Sequence, residues 1–303
     1  MQLRFVASLV GTLAVALSPH VAQAQAGDTL AKAKSSGIIV LGVRESSGAL
    51  SYHLGGGQYA GFHVEICQRI AEDIEKAAGR KVEVRYVPVS SESRMGDLTS
   101  GKIDLSCGSA TNTTARQQEV GFLNTTFVEE ARIAVKANSG IRSITQLHGK
   151  TLVTTRGTTT VQHLRRHERG AGIKFKELYG KDHADSFRQL ASGKADAFLM
   201  DRSILAGNIA TAANPADFTI VDEPLSLEPI AIMIRKDDAG LRKLGNETIA
   251  RLISSGEMAR LWDKWFMQPI PPANRSVGLP LSEATKAVWA DPNDKPMEQY
   301  RRR

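Results

Sequence analysis

The sequence predicts an α/β protein made of two similar lobes, each built on a largely parallel sheet. Short apolar strands alternate with segments of helical periodicity along most of the chain, as β-α-β units require. The pattern Ser-Gly-Lys-x-Asp also occurs twice, at 100–104 and 192–196, each time between a helix and an apolar strand. This repeat of one supersecondary unit indicates two lobes of the same kind, although so common a helix stop can also recur by chance.

The first 24 residues have the composition of a secretory signal peptide. Arg4 precedes an apolar run at 5–17, and the segment ends in the small-residue motif Ala22-Gln23-Ala24. Such a run is shorter than the roughly 20 apolar residues that a membrane-spanning helix needs. We therefore expect a signal peptide at 1–24 that is cleaved after Ala24, and export to the periplasm.

Composition and charge place the rest of the chain among globular proteins. Hydrophobic residues make up 42% of the sequence and charged residues 23%, which suffices for two domains with cores of their own. The formal net charge is +7, and cleavage after Ala24 would remove one positive charge with Arg4. Basic residues are scattered and only 6% of residues are aromatic, so the sequence favours an acidic small ligand over a nucleic acid.

The chain contains two cysteines, Cys67 and Cys107. An exported protein meets an oxidising compartment, where this pair can form a disulfide that closes a loop of about 40 residues. Two buried free thiols are the alternative.

The elements follow from the spacing of the apolar residues. Continuous or alternating apolar residues predict strands at 38–43, 82–87, 103–107, 131–136, 152–155, 175–178, 197–200 and 218–221. Helical spacing predicts helices at 64–78, near 94–98, and at 160–169, 203–211, 239–254 and 257–266. In the last helix we expect Trp262, Trp265 and Phe266 to be core residues.

Two segments are expected to connect the lobes. An outward crossing is predicted near 127–130, and Pro224 and Pro229 favour an extended return at 223–229. Lobe 1 then comprises residues 28–129 and 227–275, and lobe 2 comprises residues 130–226. Residues 276–303 are expected to form a C-terminal tail that is surface-packed and partly loose.

Polar residues follow several predicted strands of lobe 1, and ligands of open α/β sheets bind beyond the carboxyl ends of strands. Arg44 follows the first strand, Arg94 lies beyond the second, and Arg116 stands after the segment Ser109 to Thr111. The planar guanidinium pairs with a carboxylate through two parallel hydrogen bonds. These residues therefore predict a carboxylate site, although Arg116 would equally suit an exposed position on a helix.

Lobe 2 has a second set of candidate site residues, which also lie at the ends of predicted strands. Asp201 follows the strand after the second repeat, where it would balance an ammonium group or cap the next helix. The segment 155–159 lies between a strand and a helix and can present N–H groups to an anion, but it lacks nucleotide-loop spacing. Three arginines against one aspartate leave two excess positive charges. That excess suits a ligand with two carboxylates and one ammonium group, since a buried arginine without a partner is costly.

Short motifs that match a known pattern occur in order along the chain. They are VRESS at 43–47, PVSSESR at 88–94, CGSATNTTARQ at 107–117, GTTT at 157–160, KDHADSFR at 181–188, FLMD at 198–201, WDKWF at 262–266 and PIPP at 269–272. Together they resemble the glutamate/aspartate periplasmic binding proteins of the polar amino-acid uptake family, solute-binding protein family 3. The resemblance covers nearly all of the chain after the leader.

The resemblance implies the two-lobed type II periplasmic binding protein fold and a binding protein without enzymatic activity or cofactor. It implies a monomer that captures L-glutamate or L-aspartate and delivers it to the membrane permease subunits of an ABC importer. A dehydratase-like enzyme on the same fold, or a sensing module for a separate receptor, remain as alternatives. The candidate residues include no paired carboxylates and no nucleophile with a base, which argues against the enzyme.

The resemblance also implies a role for each candidate residue. The α-carboxylate would be held by Arg116, Ser109, Thr111 and Thr158, and the α-ammonium by Asp201. The side-chain carboxylate would be held by Arg44, Ser91, Arg94 and His183. Thr155 would line the lobe 2 side of the site. His183 alone would be equally consistent with packing at a helix end. Leu50 and Arg156 depart from the family pattern, so the choice between glutamate, aspartate and a related diacid stays open.

Overall fold

The computed structural model describes residues 28–300, apart from the side chains at 167 and 171. The predicted signal peptide lies outside the described residues. The strands are β1 (Ile38–Val43), β2 (Tyr52–Gly55), β3 (Gln58–Ala60), β4 (Glu83–Pro88), β5 (Leu105–Ser106), β6 (Val120–Phe122), β7 (Phe127–Lys136), β8 (Thr151–Thr155), β9 (Lys176–Gly180), β10 (Ala197–Asp201), β11 (Phe218–Ile220), β12 (Ser226–Ile230) and β13 (Met233–Arg235). The α-helices are α1 (Thr29–Ser36), α2 (Phe62–Ala78), α3 (Arg94–Thr99), α4 (Thr114–Gln117), α5 (Thr160–Ala171), α6 (His183–Ala191), α7 (Arg202–Ala210), α8 (Ala239–Ser254), α9 (Glu257–Trp262) and α10 (Glu283–Ala290).

The strands form two large sheets and one small hairpin, β2-β3. The first sheet has the order β4-β1-β5-β13-β6, and we call the body around it lobe 1. The second has the order β11-β7-β10-β8-β9, with β12 also paired to β7, and we call its body lobe 2. The predicted two-lobed α/β fold is confirmed.

Each sheet is mixed rather than purely parallel. In lobe 1 only β13 runs against the other strands, and in lobe 2 only β7 does. Both antiparallel strands, β13 and β7, adjoin a connection between the lobes, where the chain reverses direction within a sheet. The β-α-β pattern predicted the parallel strands, and these returning strands are the reason for the antiparallel pairs.

Helix α2 illustrates how apolar spacing builds the core of lobe 1. Ile66, Ile70 and Ile74 recur at helical spacing and are fully buried, and burying each such side chain stabilises the fold by roughly 2 kcal/mol. The helix ends at Gly79, whose φ of 66° is in the left-handed region that glycine accepts most readily. Trp262 and Phe266, predicted as core residues, are buried in the same cluster.

Two strands connect the lobes and lie side by side. β7 and β12 pair in antiparallel fashion, with Ile230 opposite Phe127 and Ser226 opposite Ala131. Glu228 lies opposite Glu129 in the middle of this ribbon. We call β7 and β12 the hinge strands. β7 contains the predicted crossing at 127–130, whereas β12 begins at Ser226 and overlaps only the second half of the predicted return at 223–229.

A disulfide joins Cys67 of α2 to Cys107, which directly follows β5. It ties the helix to the start of the loop that carries Ser109 and Thr111. None of the helices within residues 28–300 has both the length and the apolar character needed to cross a membrane.

Candidate functional site

The predicted site residues lie where the two lobes face each other. Those of lobe 1 follow β1, β4 and β5, and those of lobe 2 follow β8, β9 and β10. The lobes touch here: the Ala184 N–H donates to Ser46 Oγ at 3.3 Å. Gly157 packs against the backbone of Ser91, so closely that a Cβ at Gly157 would lie 2.7 Å from the Ser91 carbonyl carbon. The cleft is therefore closed in this structure.

One hydrogen-bonded chain runs across the cleft from Ser91 to Thr155. Arg44 Nη2 donates to Ser91 Oγ at 2.8 Å and lies 3.4 Å from His183 Nε2. His183 Nδ1 lies 3.0 Å from Thr155 Oγ1. Because a guanidinium only donates, Nε2 accepts and the imidazole proton sits on Nδ1. Burial, together with Arg44 and Arg94, holds the pKa of His183 well below its usual range, so the ring is neutral.

Arg94 is the second buried arginine of lobe 1. Its Nη1 donates to the Ser109 carbonyl oxygen at 2.8 Å, and Ser109 Oγ lies 3.2 Å from Ser47 Oγ. Arg94 and Arg44 are each 2% exposed. Arg94 Nε and Arg44 Nε and Nη1 have no hydrogen-bond partner among the described residues. Such N–H groups lose their hydration without compensation from the protein.

Arg116 reaches from lobe 1 to lobe 2. It lies on α4 and is half-buried; Nη1 donates to the Thr111 carbonyl at 2.8 Å and Nη2 to the Gly157 carbonyl at 3.2 Å. Next to Gly157, the Thr158 hydroxyl donates to the Thr155 carbonyl at 2.6 Å. The structure therefore does not support the alternative of an exposed helix charge for Arg116.

The three arginines form one positively charged group. Burial lowers the pKa of Arg44 to about 10, with Arg116 adding to the effect. Burial, followed by Arg116 and Arg44, holds the pKa of Arg94 well below its usual value. Among residues 28–300, no carboxylate forms an ion pair with any of the three.

Asp201 stands on the opposite wall at the start of α7. It occupies the N-cap position, but its side chain makes no capping hydrogen bond, and Oδ1 has no partner among the described residues. Burial, then Glu228 and Glu129, holds the pKa of Asp201 well above its ordinary value. The helix-cap alternative is therefore not supported. A cation beside Asp201 would offset both the burial of its charge and the repulsion from the two glutamates.

Glu228 is a cleft residue that the sequence analysis missed. It is fully buried on β12, and Oε2 accepts from Thr111 Oγ1 at 2.6 Å and from Thr159 Oγ1 at 2.7 Å. Oε1 accepts from His163 Nε2 at 2.8 Å and from Ser226 Oγ at 2.9 Å. Burial alone would raise the pKa of Glu228, but the hydrogen bonds, led by that from His163, lower it to about 2. The only sequence signal was a glutamate between apolar residues in an extended crossing.

The charge count made from the sequence is incomplete, because it left out Glu228. This carboxylate already faces His163, whose Nε2 lies 2.8 Å from Oε1. Glu129 on β7 is a further buried carboxylate, which accepts from the Ser203 N–H at 3.1 Å. Burial raises the pKa of Glu129 to about 7. Glu228 and Glu129 bond to His163 and to the Ser203 backbone, respectively, and neither forms an ion pair with the three arginines.

All ten predicted ligand-binding residues lie at this cleft: Arg44, Ser91, Arg94, Ser109, Thr111 and Arg116 on lobe 1, and Thr155, Thr158, His183 and Asp201 on lobe 2. Of the two departures from the family pattern, Leu50 is fully buried in the core of lobe 1, and Arg156 is exposed next to Thr155.

Comparison with known proteins identifies the family. Residues 39–268 match the bacterial extracellular solute-binding proteins, family 3. The chain belongs to this family. It is 39% identical to the glutamate/aspartate import solute-binding protein of Escherichia coli K12, over 97% of this chain and 99% of that protein. It is 36% identical to the L-glutamate/L-aspartate-binding protein of Pseudomonas aeruginosa PAO1, over 98% of this chain and all of that protein.

Solved structures of amino-acid-binding proteins share the fold. A mutant of ArgBP from T. maritima matches with a TM-score of 0.71 and 27% identity, over 79% of this chain and 99% of that one. The cysteine-binding protein of Campylobacter jejuni matches with a TM-score of 0.71 over 84% of this chain and 96% of that one; at 23% identity it supports the fold alone. The curated relatives carry the names of solute-binding proteins, which favours binding over catalysis.

Proposed function

We propose that this family 3 protein captures L-glutamate or L-aspartate in the periplasm and delivers it to the permease subunits of an ABC importer. It acts as a monomer that closes two lobes around one ligand. Support comes from the two relatives named for glutamate and aspartate, which this chain matches over nearly its full length.

One observation carries the proposal: three arginines without a carboxylate partner and an aspartate without a cation share one cleft. Burying charges in this way is expensive unless opposite charges join them. A zwitterion with one additional carboxylate supplies both missing partners. A neutral amino acid would supply too little negative charge, and a basic one would add repulsion.

We assign the ligand groups as follows. The side-chain carboxylate lies between Arg44 and Arg94, with Ser91 and His183 beside it and Thr155 in the wall of the site. The α-carboxylate binds Arg116, Ser109, Thr111 and Thr158. The α-ammonium binds Asp201. A carboxylate next to His183 would also offset the two arginines that depress its pKa. Nε2, which accepts from Arg44 in this structure, can then take up a proton and donate to that carboxylate.

These assignments imply that ligand binding favours closure. The ligand contacts both lobes, so it binds the closed form more tightly than the open one and shifts the population by that difference. Arg116 strengthens the link because it bonds to Thr111 of lobe 1 and Gly157 of lobe 2. The closed form is then the state that the permease recognises.

Isothermal titration calorimetry with L-glutamate tests the proposal. We expect a single site in the wild-type protein and a loss of at least about 100-fold in affinity for Arg116→Ala, because truncating a buried charge partner costs roughly 3 kcal/mol or more. The matched control is Arg188→Ala, whose guanidinium is exposed on α6, and which should bind as the wild type does. Near-native affinity of Arg116→Ala, or no binding of any acidic amino acid by the wild type, would contradict the proposal.

Three analogues then separate the subsites. Glutamine keeps the backbone groups but lacks the distal charge, so it should bind far more weakly than glutamate. Glutarate lacks the ammonium and therefore tests Asp201. Thermal shifts with these compounds and with L-aspartate rank the ligands, because a ligand that binds only the folded state raises Tm by mass action.

A further inference from the structure

Residues 282–300 form a segment that the binding site does not obviously require. The family match ends at residue 268, and the ArgBP structure covers only 79% of this chain. The segment nevertheless folds as α10 and a short turn, Met297–Gln299. We call residues 282–300 the C-terminal brace.

The brace is bound to the first hinge strand, β7, and to the two residues that precede it. The Val128 N–H donates to Thr285 Oγ1 at 3.1 Å, and Trp289 Nε1 donates to the Thr126 carbonyl at 2.6 Å. The Thr125 N–H donates to the Asn293 carbonyl at 2.8 Å. Thr285 is fully buried in this contact, so the brace covers the residues at which the chain leaves lobe 1.

The brace also holds Asn112, which is fully buried between Thr111 and Arg116. The Asn112 carbonyl accepts from the Met297 N–H at 2.8 Å, and Nδ2 donates to the Asp294 carbonyl at 2.7 Å. The Asn112 N–H donates to the Pro229 carbonyl of β12 at 2.8 Å, and Oδ1 accepts from Gln117 Nε2 at 2.9 Å. Every polar group of Asn112 is paired, and the partners belong to the brace, a hinge strand and α4.

A third contact fixes the start of α4. Glu298 Oε2 accepts from both the N–H and the hydroxyl of Thr114, each at 3.0 Å. Helix α4 has four residues, and so short a helix cannot maintain its own orientation in water. Besides the N-cap that the Thr113 hydroxyl provides to the Arg116 N–H, the direction of α4 and of Arg116 therefore depends on tertiary contacts of this kind.

We propose that Asn112 is a positioning residue for Arg116, and that the C-terminal brace holds it in place through Asp294, Met297 and Glu298. This inference rests on the proposed function, since it assigns the α-carboxylate to Arg116. The brace bonds to both the Arg116 loop and the hinge strand, so the arginine keeps one direction while the lobes open and close.

Calorimetry with L-glutamate on the full chain tests this inference. Asn112→Ala should weaken binding by about tenfold and Glu298→Ala by about threefold, because each loses hydrogen bonds that orient α4. Glu298→Gln retains a carbonyl oxygen that can accept from Thr114, so it should keep wild-type affinity. Asn246→Ala is the matched control: it removes a side chain of lobe 1 that bonds to the Asn124 backbone at 2.8 Å, outside the Arg116 loop.

A double-mutant cycle separates positioning from general stability. Arg116→Lys removes the planar guanidinium whose direction α4 determines. In this background the loss of glutamate affinity caused by Asn112→Ala should fall to about twofold or less. Wild-type affinity of Asn112→Ala, a penalty of unchanged size in the Arg116→Lys background, or equal losses for Glu298→Ala and Glu298→Gln would overturn the inference. Failure of the wild type to bind any acidic amino acid would instead refute the proposed function.

Discussion

Lobe 1 contains two kinds of buried arginine. Arg235, which is 8% exposed, bonds to the Ile103 carbonyl at 3.0 Å and to Asp104 at 3.1 Å, and it also donates to Thr29. Asp104 in turn accepts from Lys32 at 2.7 Å. Arg44 and Arg94 are buried more deeply and have no carboxylate partner among the described residues.

The difference separates structure from function. Around Arg235 the chain provides the opposite charge, so this arginine contributes to folding. Around Arg94 the described residues provide no opposite charge. Under the proposed function the ligand provides it, and the unliganded fold bears the cost of the buried charge. Burial alone therefore does not distinguish a structural arginine from a binding one, whereas the presence of a carboxylate partner does.

The largest expected effect is on ligand affinity when Arg94 is replaced. Arg94→Met removes the unpaired charge and keeps an apolar chain of moderate length. Glutamate affinity should fall by at least about 1,000-fold, equivalent to about 4 kcal/mol, while the Tm of the unliganded protein should rise. Calorimetry and thermal unfolding measure the two effects. A lower Tm in the unliganded variant would break the comparison, since Arg94 would then be structural.

Arg235→Met should produce the opposite pattern. It leaves Asp104 buried beside Lys32 alone, so the free energy of unfolding should fall by about 3 kcal/mol. Affinity for glutamate should stay within about twofold of the wild type, because Arg235 lies outside the cleft. Urea denaturation together with calorimetry checks both values. A large loss of glutamate affinity under conditions where Arg235→Met is fully folded would show that Arg235 also contributes to binding, and the distinction between the two kinds of arginine would fail.

A buried carboxylate extends the comparison to the hinge. Burial raises the pKa of Glu129 to about 7, so between its ordinary value and pH 7 the folded chain holds a proton that the unfolded chain has released. This contribution to stability is present at low pH and is lost as the pH rises through about 7. From about pH 5 to about pH 8 the wild type should lose roughly 2 kcal/mol that Glu129→Gln retains.

Urea denaturation at both pH values measures this difference. Glu283→Gln, at an exposed position of α10, is the control and should follow the wild type. Parallel pH profiles for the wild type and Glu129→Gln would mean that Glu129 is not the group responsible.

The smallest expected effect concerns the approach of the lobes. Gly157 has a φ of 71° and its Cα faces the Ser91 backbone. Gly157→Ala should weaken glutamate binding by about tenfold, because the added methyl group opposes closure and the backbone conformation is unfavourable for alanine. Small-angle scattering with saturating glutamate should detect a less compact protein than the wild type. Equal affinity and equal compactness would mean that closure does not require this contact.

Local patterns in the sequence were sufficient to predict the two-lobed fold and to select most of the residues that lie at the cleft. Strand β1 was predicted with its observed bounds, since a continuous apolar run leaves little choice of structure. Arg44, Arg94, Arg116 and Asp201 were identified because they follow strands, and the carboxyl ends of strands in each lobe face the cleft. The assignment of ligand groups among these residues stays a prediction.

Contacts between distant parts of the chain explain what was missed. Glu228 bonds to Thr111 across 117 positions, and Asn112 bonds to Asp294 across 182. No periodicity in the sequence relates such pairs. The contacts of residues 282–300 with Asn112 and Val128 were missed for this reason. Short strands such as β6, with three residues, are too brief for a periodic signal.

The in-register pairing of β7 with β12 has a consequence for how the chain can vary. Successive residues of a strand point to opposite sides, so one residue inserted before Glu228 in β12 would turn this glutamate away from Thr111 and His163 and present its neighbour instead. The two connections must therefore keep their lengths, whereas the exposed turn at Gly55 to Gly57 could lengthen without disturbing the cleft. Natural insertions should accumulate at such outer turns and be excluded from the ribbon.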